Sequence, residues 1–260
     1  MKEFKKISSR ENSLIKLICA LQSSAKARKE NGSFVLEGLR ICTDAYENSI
    51  RFDKLIVSQT AKIKYSEQIT GFSECSEECY ELPDSLFKKI SDTATPQGVI
   101  AVSRIKDLSA TEIDLNGRYI ALENVADPSN LGAISRTAEA LGVTGIILSS
   151  GGCDPYSPKA LRASMGTLLR MPLIILEDFS NCLPKLGLKS FACVVDNTAL
   201  SINGVRFDDG SVIIIGNEAN GITEETKRVA TQLITIPMNG KAESLNAAVA
   251  ASISMWEMMK

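Results

Sequence analysis

The second half of the chain alternates short apolar runs with helical segments, and this alternation constrains the fold more than any other feature. The apolar runs predict strands at Tyr119–Leu122, Gly145–Leu148, Leu173–Leu176, Phe191–Val195, Val212–Ile215 and Leu233–Ile236. The helical segments are predicted at Leu131–Leu141, Pro158–Leu169, Glu224–Thr231 and Glu243–Met259. Continuous apolar runs separated by helices are typical of strands buried on both faces. We therefore predict an α/β fold with a parallel sheet and helices on each face.

The first hundred residues have a different pattern, which predicts a smaller α/β unit. Short strands are expected at Ser33–Glu37, Leu55–Ser58, Cys79–Leu82 and Val99–Val102, after a helix at Asn12–Lys29. The stretch 106–117 is polar and is predicted to link two domains. The expected organisation is a domain of residues 1–105, a linker of residues 106–117 and a larger domain of residues 118–260.

The composition excludes several classes of protein. The chain of 260 residues contains no histidine, which rules out Ser-His-Asp and Cys-His catalysis and any His-ligated metal. Its seven cysteines lack C-x-x-C spacing, so we expect reduced thiols in a cytoplasmic protein and no metal site. No apolar run reaches about 18 residues, and the first residues lack the apolar core of a signal peptide, so no membrane association is expected.

The charge is unevenly distributed along the chain. The net charge is −2, but residues 1–30 carry eight Lys or Arg and three Glu, so they hold +5 and the remainder holds −7. Such asymmetry is found in proteins that bind nucleic-acid phosphates. It is equally consistent with an ordinary solvated helix surface.

Three polar loops follow predicted strands of the larger domain, where α/β sheets bind their ligands. The first, Glu123–Thr137, leads into a helix that Asn130 is predicted to cap. On this helix Arg136 points away from the core residue Ile134. Gly132 lies one turn earlier and is expected to leave room beside the guanidinium. The alternative is a plain surface arginine above a capping loop.

The second and third loops also bring backbone or small residues to strand ends. Gly216–Gly221 directly follows a predicted strand, and its glycines are expected to let the main chain approach a ligand. Ile236–Gly240 is followed by Glu243–Asn246 and then by an alanine-rich helix. The small side chains of this helix allow the backbone of another segment to pass close by. Taken singly, each of these signals is weak, because glycine-rich turns and alanine-rich helices are common.

In this order and spacing, the three loops resemble the signature motifs of the SpoU (TrmH) family of RNA 2′-O-ribose methyltransferases in the SPOUT superfamily. The match covers nearly all of residues 118–260 and includes Asp154–Lys159 and Arg162–Gly166. Phe34–Arg40 and Thr95–Val99 are similar to the substrate-binding domain of this family, which resembles ribosomal protein L30e.

The resemblance implies a fold and a set of site residues. It implies a deep trefoil knot formed by the C-terminal helix, a homodimer, and S-adenosyl-L-methionine as the cofactor. Positions that match the family's cofactor contacts are Gly216, Ile236 and Leu245, with Met238 in the adenine slot. Positions that match its functional polar residues are Asn130, Arg136, Glu218, Ser244 and Asn246. Arg136 would act as the base or, since guanidinium rarely loses a proton, as a phosphate partner and alkoxide stabiliser.

Alternative functions stay open from the sequence. A non-enzymatic RNA-binding protein could keep the fold, although the intact polar motif residues favour an enzyme. A base methyltransferase of the same superfamily would differ only in the position of the methyl group. A generic nucleotide-binding enzyme lacks support, because neither a Walker A lysine pattern nor a Rossmann glycine triplet occurs. The resemblance favours structured ribosomal RNA over transfer RNA as the substrate.

Overall fold

The computed structural model describes residues 2–106 and 112–260. The chain divides into two compact units, one formed by Met1–Lys106 with Tyr156–Arg162 and the other by Asp107–Pro155 with Ala163–Lys260. The predicted linker, residues 106–117, includes 107–111, which lie outside the described residues.

The first unit is built on a mixed five-stranded sheet. Its strands are β1 (Phe4–Lys6), β2 (Ser33–Glu37), β3 (Phe52–Ser58), β4 (Ser76–Leu82) and β5 (Val99–Arg104). Their order is β1-β4-β3-β5-β2, with β1, β4 and β3 parallel and β5 antiparallel to both β3 and β2. The four strands predicted from the sequence are confirmed, and β1 is an additional edge strand.

Six helices accompany this sheet: α1 (Ser13–Ser23), α2 (Ala25–Asn31), α3 (Leu39–Glu47), α4 (Gln59–Lys64), α5 (Ser66–Glu74) and α6 (Asp84–Ile90). The prediction of one helix over Asn12–Lys29 is wrong, because the backbone of Ser24 is extended and separates α1 from α2. The Ser24 hydroxyl accepts a hydrogen bond from the Ala27 amide, so the break is also the N-cap of α2.

Some of the basic side chains of residues 1–30 have partners within the first unit. Arg28 is buried, and its guanidinium donates to the carbonyl oxygens of Leu21 and Gln22. Three of the lysines form ion pairs with nearby glutamates: Lys5 with Glu78, Lys16 with Glu11 and Lys26 with Glu30.

The second half of the chain contains a seven-stranded parallel sheet. Its strands are β6 (Tyr119–Leu122), β7 (Gly145–Ser149), β8 (Leu173–Leu176), β9 (Lys189–Cys193), β10 (Leu200–Ser201), β11 (Ser211–Ile215) and β12 (Gln232–Thr235). The order is β10-β12-β9-β11-β6-β7-β8, and all neighbours pair in parallel. This confirms the predicted α/β class and every predicted strand, and it adds the short β10. The threading of the C-terminal helix that the resemblance implies stays a prediction.

The helices of this half are α7 (Pro128–Leu141), α8 (Pro158–Ser164), α9 (Thr167–Arg170), α10 (Phe179–Cys182), α11 (Glu224–Val229) and α12 (Ala247–Met259). Both faces of the sheet are buried. On one face, Tyr119, Ile147 and Val212 belong to a cluster that includes Phe179 of α10. The strand residues that point the other way, such as Ile120 and Ile213, are also buried, and α7 and α12 pack on β7 and β11.

The four predicted helices are present with different limits, and two of the differences are large. The helix predicted at Pro158–Leu169 is interrupted, because Met165 and Gly166 adopt left-handed backbone conformations with φ of 52° and 91°. The helix predicted from Glu243 begins instead at Ala247, since the Asn246 side chain caps it by accepting from the Ala248 and Val249 amides. The four residues before α12 are therefore available as a loop.

Candidate active site and cofactor cavity

The three polar loops leave the sheet at the carboxyl ends of strands β6, β11 and β12. Strands β6 and β11 are neighbours, with Leu122 paired to Ile215, and the Glu123 amide donates to the Ile215 carbonyl at 2.9 Å. Strand β12 lies two positions further along the sheet. Because parallel strands end at one edge, the loops that follow them converge there.

A continuous set of side-chain hydrogen bonds joins the three loops. Asn130 donates from Nδ2 to Oε1 of Glu218 at 2.7 Å, and its Oδ1 accepts from Nδ2 of Asn246 at 3.0 Å. Glu218 also accepts from the amides of Ala126 at 3.1 Å and Asp127 at 3.2 Å. Both polar groups of each asparagine are thus engaged, so these residues hold the loops in a fixed relation to one another.

This network also controls the charge of Glu218. Partial burial of its carboxyl acts to raise the pKa, but the hydrogen bonds from Asn130 and the amides of Ala126 and Asp127 outweigh it. The pKa of Glu218 is therefore lowered from its usual range, and the side chain is ionised at neutral pH. As an ionised acceptor it can hold three donors at once.

The predicted capping role of Asn130 is wrong. The N-cap of α7 is Asp127, whose carboxylate accepts from the Ser129 amide at 2.8 Å. Asn130 lies within the first turn of the helix, where its buried side chain reaches the second and third loops. Sequence alone cannot separate these roles, because asparagine suits both positions and its partners are distant in the chain.

The glycine that begins the second loop is required by the loop itself. A Cβ at Gly216 would lie 2.2 Å from the carbonyl carbon of Gly221, which is far closer than any real contact. The close approach comes from a bridge in which Asn217 and Gly221 exchange backbone hydrogen bonds at 3.0 and 2.9 Å. The turn alone therefore demands glycine at position 216, whether or not a ligand approaches there.

A cavity of about 470 Å³ opens beside this loop in the second unit. Its walls include every predicted cofactor contact, namely Gly216, Ile236, Met238 and Leu245, together with the predicted polar residues Glu218 and Ser244. Asn130, Arg136 and Asn246 are not part of its wall. The volume falls within the range of about 300–1,000 Å³ that is usual for small-molecule sites.

The chemistry of the cavity fits S-adenosyl-L-methionine. Ile236, Met238 and Leu245 give part of the wall an apolar character, which an adenine ring requires. The carboxylates of Asp196, Glu218 and Glu243 line the same space with one lysine, Lys227, so negative charge predominates and favours a positively charged sulfonium. The cavity thus combines an apolar body with a few polar groups, as cofactor sites do.

The sequence interpretation missed one wall of the cavity. The segment after β9 contributes Val195 and Asp196, and α11 contributes Lys227. Asp196 is held in place by the amide and hydroxyl of Thr198, both at 2.7 Å, and these bonds lower its pKa. The available signal was a polar residue directly after the predicted strand Phe191–Val195, which is the same signal that identified the other loops.

Arg136 is exposed on α7, as predicted, and none of the residues described in 2–106 and 112–260 pairs with its guanidinium. The interpretation of Gly132 was wrong. Gly132 is buried, and a Cβ there would lie 2.5 Å from the Cβ of Ala163 and 2.6 Å from its carbonyl carbon. The glycine lets α7 pack against the 163–164 backbone and leaves no space for the arginine.

Comparison with known proteins agrees with this geometry. The model of the SpoU rRNA methylase family matches residues 117–256, and that of the MRM3-like substrate-binding domain matches residues 12–101. Because the first match spans more than half of the chain, the protein belongs to the SpoU rRNA methylase family. The resemblance seen in the sequence motifs is thereby confirmed.

Individual relatives match over nearly the whole chain. An uncharacterized tRNA/rRNA methyltransferase of Synechocystis is 30% identical and is aligned over 96% of this chain and 92% of its own length. The 23S rRNA (guanosine(2553)-2′-O)-methyltransferase RlmP of Bacillus subtilis is 27% identical over 98% of this chain and 99% of its own. The crystal structure of the AdoMet-bound rRNA methyltransferase from Sinorhizobium meliloti superposes with a TM-score of 0.85 at 29% identity, covering 98% of this chain and 97% of that one.

In residues 2–106 and 112–260, no helix is both long and apolar enough to cross a bilayer. Within the same ranges, Cys, Asp and Glu side chains do not gather in groups of three that could hold a metal ion.

Proposed function

We propose that the protein transfers a methyl group from S-adenosyl-L-methionine to a ribose 2′-hydroxyl of 23S rRNA. The observation that carries this proposal is the Asn130–Glu218–Asn246 network, which joins all three motif loops beside the cavity. The family membership and the 2′-O-methyltransferase relative support the same activity. An intact network would be unnecessary in a protein that only retained the fold to bind RNA.

In the proposed site, the cavity residues bind the cofactor. Gly216, Ile236 and Leu245 supply main-chain contacts, and Met238 packs against the adenine ring. Bound S-adenosyl-L-methionine supplies the methyl group carried on its sulfonium sulfur. The rigid loop that begins at Gly216 fixes the direction of this group, which in-line transfer to an oxygen requires.

Asn130, Glu218 and Asn246 act in this proposal as positioning residues, whereas Arg136 and Ser244 contact the substrate. Both of these side chains are exposed, and neither has a partner within the described parts of the chain. Arg136 would bind an RNA phosphate through its forked donors. Its positive charge would also stabilise the ribose oxygen while the hydroxyl proton passes to solvent water and the methyl carbon leaves the sulfonium sulfur for that oxygen.

The proposal assigns RNA selection to residues 1–105 and chemistry to residues 118–260. The match of residues 12–101 to a substrate-binding domain supports this division. We also propose that the enzyme acts in the cytoplasm, where its seven free cysteines would stay reduced.

A homodimer is part of the same proposal. Val249 and Trp256 lie seven residues apart on α12, and their side chains are 47% and 55% exposed. This spacing puts both on one face of the helix. Exposed aromatic and aliphatic residues on a single helix face are typical of subunit contacts. We expect the purified protein to elute as a dimer in light-scattering chromatography, and Trp256→Glu to shift it to a monomer.

The activity is tested by mapping 2′-O-methyl groups in total RNA from cells with and without the gene. We expect one site in 23S rRNA to disappear and to return on complementation. In vitro, the purified protein should transfer labelled methyl from S-adenosyl-L-methionine to an rRNA transcript, and nuclease digestion should release a 2′-O-methyl nucleoside. A methylated base would overturn the proposed chemistry, and a lost site in tRNA would overturn the proposed substrate.

A further inference from the structure

The residue directly after β6 carries a buried carboxylate. Glu123 is 3% exposed. Its Oε1 accepts hydrogen bonds from the hydroxyls of Thr223 at 2.7 Å and Thr226 at 2.6 Å, and its Oε2 accepts from the Thr223 amide at 2.9 Å. These donors are about 100 residues away in the sequence, so the contact joins two separate parts of the sheet edge.

Both carboxylate oxygens of Glu123 accept hydrogen bonds, and none of the donors is a cation. Within the ranges 2–106 and 112–260, no lysine or arginine pairs with it. Burying a charge is expensive unless it is fully hydrogen-bonded. A buried carboxylate held only by two threonines is therefore an unusual choice for a position that an apolar residue could fill, and this calls for a reason beyond packing.

The two threonines lie at the junction between the loop that begins at Gly216 and helix α11, so Glu123 holds this junction. Thr223 follows the loop that begins at Gly216, and its hydroxyl also caps α11 by accepting from the Thr226 amide. The first end of this loop is fixed by the pairing of β11 with β6. The second end is fixed at Thr223 by Glu123. The loop between these two anchors contributes all of its residues from Gly216 to Ile222 to the cavity wall.

Glu218 lies in the middle of this doubly anchored loop. Its carboxylate must meet Asn130 and two backbone amides at hydrogen-bond distance, which a loop free at one end would not achieve. We propose that Glu123 is a positioning residue for the cofactor site: by holding Thr223 and Thr226, it fixes the loop that forms the cavity wall and places Glu218. This inference rests on the proposed function, because it takes the cavity to be the S-adenosyl-L-methionine site.

A carboxylate accepts from all three donors at once. A glutamine would either turn its amide group towards the Thr223 N–H, so that two donors would face each other, or turn it towards the threonine hydroxyls, which would then have to reverse from donors to acceptors although the Thr223 hydroxyl already accepts from the Thr226 amide. An aspartate would be one methylene too short to reach the same donors. Glu123→Gln therefore removes the anchor of the loop with almost no change in side-chain volume.

The test measures binding of S-adenosylhomocysteine, the product form of the cofactor, by calorimetry on the full chain. We expect Glu123→Gln to weaken binding at least about tenfold, equivalent to about 1.4 kcal/mol. Thr226→Val is isosteric and removes one of the three bonds, so it should weaken binding several-fold. Thr226→Ser keeps the hydroxyl and should bind within about twofold of the original protein, since the bond energy is retained.

A matched control lies at the opposite end of the same strand. Tyr119 is 3% exposed, and its hydroxyl accepts from the Asp114 amide at 2.9 Å. Tyr119→Phe removes this buried bond far from the loop, so it should lower the melting temperature without changing cofactor affinity. The comparison separates positioning from a general loss of stability.

Each outcome has one meaning. If the unaltered protein does not bind S-adenosylhomocysteine, the proposed function fails. If the unaltered protein binds and both Glu123→Gln and Thr226→Val bind equally well, the positioning role fails. Equal weakening by Thr226→Ser and Thr226→Val would also overturn it, because the hydroxyl would then not matter. If Glu123→Gln does not fold, the threonine pair alone decides.

Discussion

The side-chain amide of Asn130 donates to the carboxylate of Glu218 across 88 residues of chain, at a distance of 2.7 Å. Asn130 lies in the first turn of α7, at the end of the first motif segment, and Glu218 lies in the loop after β11. The bond is charge-assisted, because Glu218 is ionised at neutral pH. It therefore ties two of the three motif loops together more strongly than a neutral hydrogen bond would.

This relationship predicts an unusual pH dependence for Asn130→Asp. The substitution would place a second carboxylate against Glu218, and two like charges at hydrogen-bond distance raise the pKa of the pair. As the pH falls, a shared proton restores the bond, with the protonated Asp as donor. We expect cofactor affinity at pH 8 to fall at least about tenfold, equivalent to about 1.4 kcal/mol, and to recover partly towards pH 5.5.

The measurement is calorimetric titration with S-adenosylhomocysteine between pH 5.5 and pH 8. The unaltered protein serves as the control. Its Glu218 has a lowered pKa, so the carboxylate should stay ionised throughout this range and contribute no pH dependence. Affinity of Asn130→Asp that does not change with pH would show that the two side chains are not directly coupled.

A second prediction concerns Gly216, where the structure leaves no room for a side chain. A methyl group at this position would meet the Gly221 carbonyl carbon at 2.2 Å, so Gly216→Ala must open the Asn217–Gly221 bridge. We expect cofactor binding to be lost, with a destabilisation of about 1–3 kcal/mol as found for overpacked sites.

Gly204→Ala is the matched control for this prediction. Gly204 lies in the same unit, and a Cβ there would meet only the Leu200 Cδ1 at 4.0 Å. Cofactor affinity and melting temperature should both stay close to those of the unaltered protein. Retention of full cofactor binding by Gly216→Ala would mean that the loop adapts and that the bridge is dispensable.

The strands of the second unit could be predicted from the sequence because each is a continuous apolar run. Tyr119–Leu122 and Leu173–Leu176 were predicted with the limits that the structure has. The break between α8 and α9 could not be predicted in this way. It depends on a left-handed backbone at Met165, a conformation that a methionine rarely adopts and that nothing in its local sequence requires.

The candidate site was predicted in part, for a related reason. The resemblance to the SpoU family implied that Gly216, Met238 and Ser244 belong to one site, and all three line the cavity. The partners of Asn130 could not be read from the sequence, because both lie in distant loops. Glu123 was overlooked since a glutamate that ends a strand has the same local pattern whether it is exposed or buried.

The edge of the first sheet gives a prediction on stability. Glu78 of β4 accepts from Lys5, Lys54 and Tyr80, and these bonds lower its pKa to about 2. A carboxyl with a depressed folded-state pKa stabilises the fold above its unfolded pKa, and this contribution is lost as pH falls towards the folded value. Glu78→Gln should therefore lower the melting temperature at pH 7 and have a smaller effect at pH 3.

The size of this effect should be modest. The side chain of Glu78 is 35% exposed, so solvent screening limits the contribution to less than about 1 kcal/mol. Thermal unfolding followed by circular dichroism at both pH values gives the comparison. A difference between variant and original protein that is as large at pH 3 as at pH 7 would contradict the assigned charge state.

Arg136 yields the prediction that bears most directly on catalysis. Its guanidinium is exposed on α7, lies outside the cofactor cavity, and has no partner within residues 2–106 and 112–260. If it binds an RNA phosphate and stabilises the developing alkoxide, Arg136→Ala should lower methyl transfer by about 10²–10³-fold, as for loss of an oxyanion donor. Cofactor affinity should stay within a few-fold, because the side chain does not line the cavity.

Two further variants sharpen this test. Arg136→Lys keeps the charge but loses the forked donor geometry, so we expect it to recover only a part of the activity. Arg206 is an equally charged residue of the same unit whose side chain is 91% exposed, and Arg206→Ala should leave methyl transfer unchanged. The assays are single-turnover transfer of labelled methyl to rRNA and calorimetric binding of S-adenosylhomocysteine. Full activity in Arg136→Ala would remove the residue from the mechanism, whereas loss of cofactor binding would reassign it to the cofactor site.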